Sequence, residues 1–186
     1  RIGAFAKRIT KIQAISKVRA LVGPKIFKSG GIPSTLHAAC VRGINNSQLD
    51  SVVAQAHQCV AIRGNPTCPT ASLLLAPTRT LHPAIRAHVD PIVSWCKAMF
   101  NLRYARGECE KLIRAAKAKG FHVAGKAWKG IRNPAQAFLA TTARIGWTVI
   151  NAMTLQTNRG EVFDLSVTSG PLVTKYVERD VEDWLW

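Results

Sequence analysis

The sequence predicts a mainly α fold, a multi-helix domain with a small β-hairpin near the C-terminus. Three observations predict it. Apolar residues recur every third or fourth position over several segments, Asn or Asp followed by proline marks helix starts, and 147–165 mixes β-branched and aromatic residues around a turn. With 186 residues the chain is long enough to bury most of its apolar surface without disulfide or metal staples.

The first helix is expected from Ile2, because Ile2, Phe5, Ile9, Ile12, Ile15, Val18 and Leu21 share a helical spacing, with Lys7, Arg8, Lys11 and Arg19 largely off that stripe. Gly23-Pro24 and Gly30-Gly31-Ile32-Pro33 should break the pattern, Ser34 should cap a short helix through Val41, and Gly43 should close it. Ser47 is the expected cap of the next helix, with Asp50 in its first turn and a stripe of Leu49, Val52, Val53, Ala56 and Val60 running up to Gly64. Residues 65–69 read as a loop and 71–75 as a short apolar helix. Asp90-Pro91 signals a helix through Phe100 that carries Ile92, Val93, Trp95 and Met99, and another helix is expected over 107–119. Asn133-Pro134 repeats the cap-and-proline signal for a helix that Gly146 ends. Residues 147–153 and 161–165 favour strands, joined through Asn158-Arg159-Gly160 as a hairpin. Ser169-Gly170-Pro171 opens a last helix with Leu172, Val173, Tyr176, Val177, Val181, Trp184 and Leu185 on its inner face. The length fits one domain, or two small helical lobes sharing a core.

The charge balance narrows the function. Twenty-six Lys and Arg against ten Asp and Glu leave a net charge of +16, an excess that calls for a polyanion: nucleic acid first, then an anionic membrane surface, then an acidic protein. No run approaches the roughly 18 apolar residues needed to span a bilayer. The charge is also unevenly placed, since no acid precedes Asp50 while Lys7, Arg8, Lys11, Lys17, Arg19, Lys25, Lys28 and Arg42 do. A second basic run contains Arg103, Arg106, Lys111, Arg114, Lys117, Lys119, Lys126, Lys129 and Arg132 against only Glu108 and Glu110, so two patches could hold one polyanion. Aromatic residues mixed into that run, Tyr104 and Trp128, could stack on bases beside the cations; alternatively Trp128 is a core residue like Trp95, Trp147 and Trp184. The acidic tail, Glu161, Asp164, Glu178, Asp180, Glu182 and Asp183, should face protein neighbours or solvent.

Catalytic and metal chemistry find no pattern. Two-metal polymerase chemistry needs closely paired carboxylates, whereas Asp50 and Asp90 stand alone and suit helix caps. Cysteines 40, 59, 68, 96 and 109 are odd in number and lack zinc-finger spacing, so they are expected as thiols in a reducing compartment. His57, Cys59 and Cys68 with His82 or His88 could form a zinc site only through folding; buried cysteines and surface histidines fit better. No catalytic residue, metal or cofactor is therefore expected. The acid-free start has the composition of a transit peptide, but its helix-core spacing and its continuity with folded-looking sequence favour a structural helix.

The order of several motifs resembles a known family. Lys28-Ser29-Gly30-Gly31-Ile32-Pro33, the run from His37 to Gly43, Gly43-Ile44-Asn45-Asn46-Ser47-Gln48-Leu49, the run from His88 to Trp95, Ala127-Trp128 with Arg132-Asn133-Pro134, and Arg144-Ile145-Gly146-Trp147 are similar to the region after the polymerase palm in non-LTR retrotransposon reverse transcriptases of protists. The resemblance spans nearly the whole chain. It implies a basic helical thumb over 1–64, a connector over 65–186, and backbone contacts to RNA or an RNA–DNA hybrid from Lys7, Arg8, Lys11, Lys17, Arg19, Lys25 and Lys28. These 186 residues contain neither the palm with its catalytic aspartates nor a zinc knuckle or endonuclease, so enzymatic activity is expected only where a polymerase palm precedes Arg1. That departure points to a non-catalytic binding role, including that of a retroelement fragment turned stand-alone RNA-binding protein. The rival expectation is a structural subunit that binds ribosomal RNA in a large assembly such as an organellar ribosome. Either reading places the protein in a nuclear or organellar ribonucleoprotein.

Overall fold

A computed structural model describes residues 2–60, 68–75, 82–101, 106–125 and 128–186, with Lys129 described by its backbone alone. The chain is mainly α, with a small antiparallel sheet near the C-terminus. It forms two compact units, residues 1–37 with 44–86 and residues 38–43 with 87–186.

The first unit is built on α1 (Ile2–Val18), which packs against α5 (Asn46–Cys59). Phe5, Ile9, Ile12 and Ser16 are the buried residues of α1, a spacing of four, three and four that keeps them on one face. Ile15, Val18 and Leu21, expected on that stripe, are exposed instead. Each three-residue step rotates a side chain about 60° backwards around the axis, so the run 12, 15, 18 leaves the core face. Ser16 replaces them. Its hydroxyl donates to the carbonyl of Ile12 at 2.9 Å and to that of Cys59 at 3.2 Å, fixing α1 to the end of α5. Gln55 of α5 donates to the Ile2 carbonyl at 3.2 Å and ties the other end of α1.

The expected breaks at Gly23-Pro24 and Gly30–Pro33 are absorbed into helix. α2 (Val22–Ile26) runs into a π turn, Phe27–Gly31, and then into α3 (Ile32–Thr35). The Ile32 N–H bonds to the Phe27 carbonyl five residues back, and Pro33, which has no N–H to lose, enters α3 in its first turn. Gly31 is required at this wide turn: a Cβ would lie 2.5 Å from the Phe27 ring and 2.8 Å from that of Phe5, two rings packed edge to face. Ser34 is not a cap; its hydroxyl donates to the Gly31 carbonyl at 3.0 Å.

The α5 cap is Asn45, two residues before the expected Ser47. Its carboxamide oxygen accepts from the Gln48 N–H at 2.7 Å, and the Gln48 side chain accepts in return from the Asn45 N–H. Asp50 lies inside the helix. Beyond 61–67, α6 (Pro69–Leu75) packs against α5, so the first unit extends past residue 64. α7 (Pro83–Asn101) starts eight residues before the expected Asp90-Pro91. Its start signal is His82-Pro83, the same cap-and-proline logic with a different residue, because the imidazole Nδ1 accepts from the Ala84 N–H at 3.2 Å. Pro91 is buried inside the helix.

The second unit contains α4 (Ala39–Arg42), the rest of α7, α8 (Arg106–Ala118), a short 3-10 turn at Trp128–Gly130, α9 (Pro134–Arg144), a sheet, and α10 (Gly170–Leu185). The Asn133 cap is as expected, accepting from the Gln136 N–H at 3.0 Å. α9 is buried along most of its length, with Phe138 stacked on Trp95 at 5.1 Å. Phe100, near the C-terminal end of α7, is exposed. The sheet has three strands, β1 (Thr148–Asn151), β2 (Thr154–Gln156) and β3 (Val162–Asp164), in the order β1-β2-β3. The turn at Asn158-Arg159-Gly160 therefore joins β2 to β3, and a tighter turn at Ala152-Met153 splits the first expected strand from an additional one. Val149, Leu155 and Phe163 pair in register and form the buried row of the sheet.

Candidate nucleic-acid interface

The surface cations of the first unit have almost no acidic counterpart. That unit holds eleven Lys and Arg and one acid, Asp50, for a net charge of +10. Lys7, Arg8, Lys11, Lys17, Arg19 and Lys25 are all exposed, and none forms an ion pair with a described residue. Lys28 is exposed in the π turn. At 100° per residue, Lys7, Arg8 and Lys11 share one exposed flank of α1, Lys17 lies on another, and Arg19, Lys25 and Lys28 continue the positive surface beyond the helix. The expected contact residues of the first patch are thus all displayed on the outside of their unit.

The second patch is differently built. Arg106, Lys119 and Arg132 are exposed, whereas Lys117 is half-buried and donates to the Ile150 carbonyl at 2.8 Å. Lys111 pairs with Glu108 at 2.8 Å, and Arg114 lies 3.8 Å from Glu110. Arg103, Tyr104 and Lys126 lie outside the described residues, as does the Lys129 side chain. Trp128 is half-buried. Arg144 sits over its ring at 3.9 Å, and a Cβ on Gly43 would come within 2.6 Å of the same ring, so Gly43 is the residue that lets α4 lie against it. One face of this indole thus carries an internal cation rather than an open stacking surface.

The acidic tail is not a uniformly solvated face. Asp180 is 1% exposed; its carboxylate accepts from the Trp147 indole at 2.7 Å and from Arg179 Nε at 2.7 Å. Arg179 also donates both terminal nitrogens to Glu161, and Arg159 pairs with Asp183. Arg179, followed by Thr157, holds the Glu161 carboxyl below the usual range, and Arg179 itself is raised by Glu161 and Asp180. This network joins α10 to the sheet. Asp180 was legible in principle, because it stands seven residues after Val173 and three after Val177, on the buried stripe of α10. Trp184 and Leu172, expected inside, are substantially exposed.

His82 and His88 are fully buried, not at the surface. Burial lowers the His82 pKa from 6.5 to about 4. The five cysteines are unbridged; burial pushes the Cys59 thiol up to about 11 and that of Cys96 to about 12, which leaves both inert as nucleophiles near neutral pH. Cys68, just before α6, is exposed rather than buried. Among the described residues no three His, Cys, Asp or Glu side chains converge to hold a metal ion, and no described helix is long and apolar enough to cross a membrane. No family model, curated protein or solved structure matches the chain.

Proposed function

We propose that the chain is a nucleic-acid backbone-binding domain, acting on RNA or an RNA–DNA hybrid without a bond-making step of its own, through the exposed cations of its first unit. The observation that carries this reading is the imbalance within that unit. Six exposed cations on α1, the segment after it and α2 have no carboxylate partner among the described residues, in a unit with a single acid. Such a surface repels itself unless phosphates neutralise it. The contrast with the second unit sharpens the point: there Lys111, Arg114, Arg159 and Arg179 are engaged with carboxylates, and Lys117 with a carbonyl. The motif resemblance to the post-palm region of retroelement reverse transcriptases supports the same assignment. The second patch, through Arg106, Lys119 and Arg132, is an auxiliary contact.

The test is the salt dependence of binding by the whole chain. If the six cations engage phosphates, log K should fall with log salt at a slope of roughly −4 to −5. Replacing Lys7, Arg8 and Lys11 together by Gln should flatten that slope by roughly 2 to 3 units, whereas Arg106→Gln with Lys119→Gln should change it less. Absence of binding at low salt, or an unchanged slope in the triple variant, refutes the reading. A second reading, an RNA-binding structural subunit of a large assembly such as an organellar ribosome, is favoured by α10, which exposes Trp184 and Trp186 beside Glu182 and Asp183 as a face for a protein neighbour. Co-sedimentation of the native protein with a ribonucleoprotein particle distinguishes it.

A further inference from the structure

The exposed flank of α1 is not uniform along its length. Ala4, Arg8, Lys11, Ile15 and Val18 follow one another at spacings of four, three, four and three, so they form one continuous line on the solvent side of the helix, with Lys7 beside it. The first half of that line is cationic. The second half is apolar, and the apolar surface continues past the helix end to Leu21: Ile15 is 45% exposed, Val18 84% and Leu21 60%. About 6 Å along the axis separates Lys11 from Ile15, and about 16 Å separates Lys7 from Val18. Lys17, Arg19 and Lys25 lie close in sequence to the apolar end.

Resting on the nucleic-acid reading above, we infer that this line binds a strand that is paired or stacked where it passes Lys7, Arg8 and Lys11 and unpaired where it passes Ile15, Val18 and Leu21, so that its bases turn onto the apolar end. An uninterrupted duplex presents only phosphate and sugar at its rim. Laying three large aliphatic side chains against that rim would desolvate phosphates with nothing to replace their water. An unpaired base presents an apolar face of its own and gains by covering exposed aliphatic surface. Arg19, next to Val18 in the chain and exposed, then holds a phosphate of the same unpaired stretch. Charge and hydrophobicity thus divide along one helix face as they divide between the backbone and the bases of a single strand. The preferred ligand is a junction between duplex and single strand, or a single strand alone.

The experiment measures binding of the full chain, by fluorescence anisotropy at fixed salt, to four RNA probes of equal phosphate number: a blunt duplex, a duplex with an unpaired overhang, the same overhang made abasic, and an unstructured single strand. The overhang and the single strand should bind roughly tenfold more tightly than the blunt duplex, and the abasic overhang should bind like the blunt duplex. Val18→Ser with Leu21→Ser changes only exposed positions and should erase that preference while leaving the salt slope intact. Lys7→Gln with Lys11→Gln should weaken all four probes and flatten the slope. Equal affinity for blunt, abasic and intact overhang probes overturns the inference while leaving backbone binding standing; failure to bind any probe at low salt removes the reading beneath it. If the Val18→Ser, Leu21→Ser chain keeps its preference for unpaired RNA but loses binding to an acidic peptide that the parent chain holds, the apolar end is a protein contact and the inference is wrong.

Discussion

Acidification should weaken the fold through His82. The imidazole is fully buried, and its Nδ1 accepts from the Ala84 N–H at the start of α7, so the native state requires the neutral ring twice over. A proton would place a charge in an apolar site and turn the cap acceptor into a donor. Burial lowers the pKa from 6.5 to about 4, so this contribution is complete above pH 6.5 and is lost as pH falls from 6.5 toward 4. At 1.36 kcal/mol per tenfold change in proton affinity, the loss amounts to about 3 kcal/mol at the acid end. His82→Asn supplies the control, because Asn can still accept from the Ala84 N–H but does not titrate. The variant should be less stable at neutral pH, having lost ring volume, and the difference between the two chains should shrink by about 3 kcal/mol between pH 7 and 4. The carboxylate network of the second unit weakens equally in both and cancels. Denaturant unfolding of both chains across that range gives the difference, and the His82 Hε1 resonance in the native protein gives the pKa directly. A difference that stays flat with pH, or a resonance that titrates near 6.5, refutes the reasoning.

The Asp180 network and the π turn yield further expectations. Asp180→Ala leaves the Trp147 indole and the Arg179 Nε without their acceptor and should destabilise the second unit by about 2 to 4 kcal/mol, read as a lower Tm; a loss under 1 kcal/mol would mean water replaces the carboxylate. Gly30 and Gly31 are adjacent in the π turn but should respond in opposite directions. A methyl at Gly31 meets the Phe27 and Phe5 rings and should cost about 1 to 3 kcal/mol, whereas a methyl at Gly30 meets nothing within 4 Å and should stabilise by about 0.5 to 1 kcal/mol. Thermal unfolding of Gly31→Ala and Gly30→Ala separates the two, and equal shifts would show that the turn is not held by those rings.

The local chemistry of the chain fixed the mainly α class, the Asn133-Pro134 helix start, the Asn158-Arg159-Gly160 turn and the concentration of cations before Asp50. Each depends on one residue and its near neighbours: a side chain that reaches a backbone N–H two or three positions on, a glycine that tolerates positive φ, a run without acids. What the tertiary structure decided is which side chains of a given pattern meet a partner. Ile15, Val18 and Leu21 carry the same spacing signal as Phe5, Ile9 and Ile12, yet the buried face of α1 continues from Ile12 to Ser16, which bonds to the end of α5, so the three aliphatics face solvent. Asp180 and His82 look like surface groups in the sequence and are enclosed because the Trp147 indole and the Ala84 amide offer each the hydrogen bond that burial demands. Periodicity specifies direction around a helix axis, but burial is settled by what arrives on that side from elsewhere in the chain.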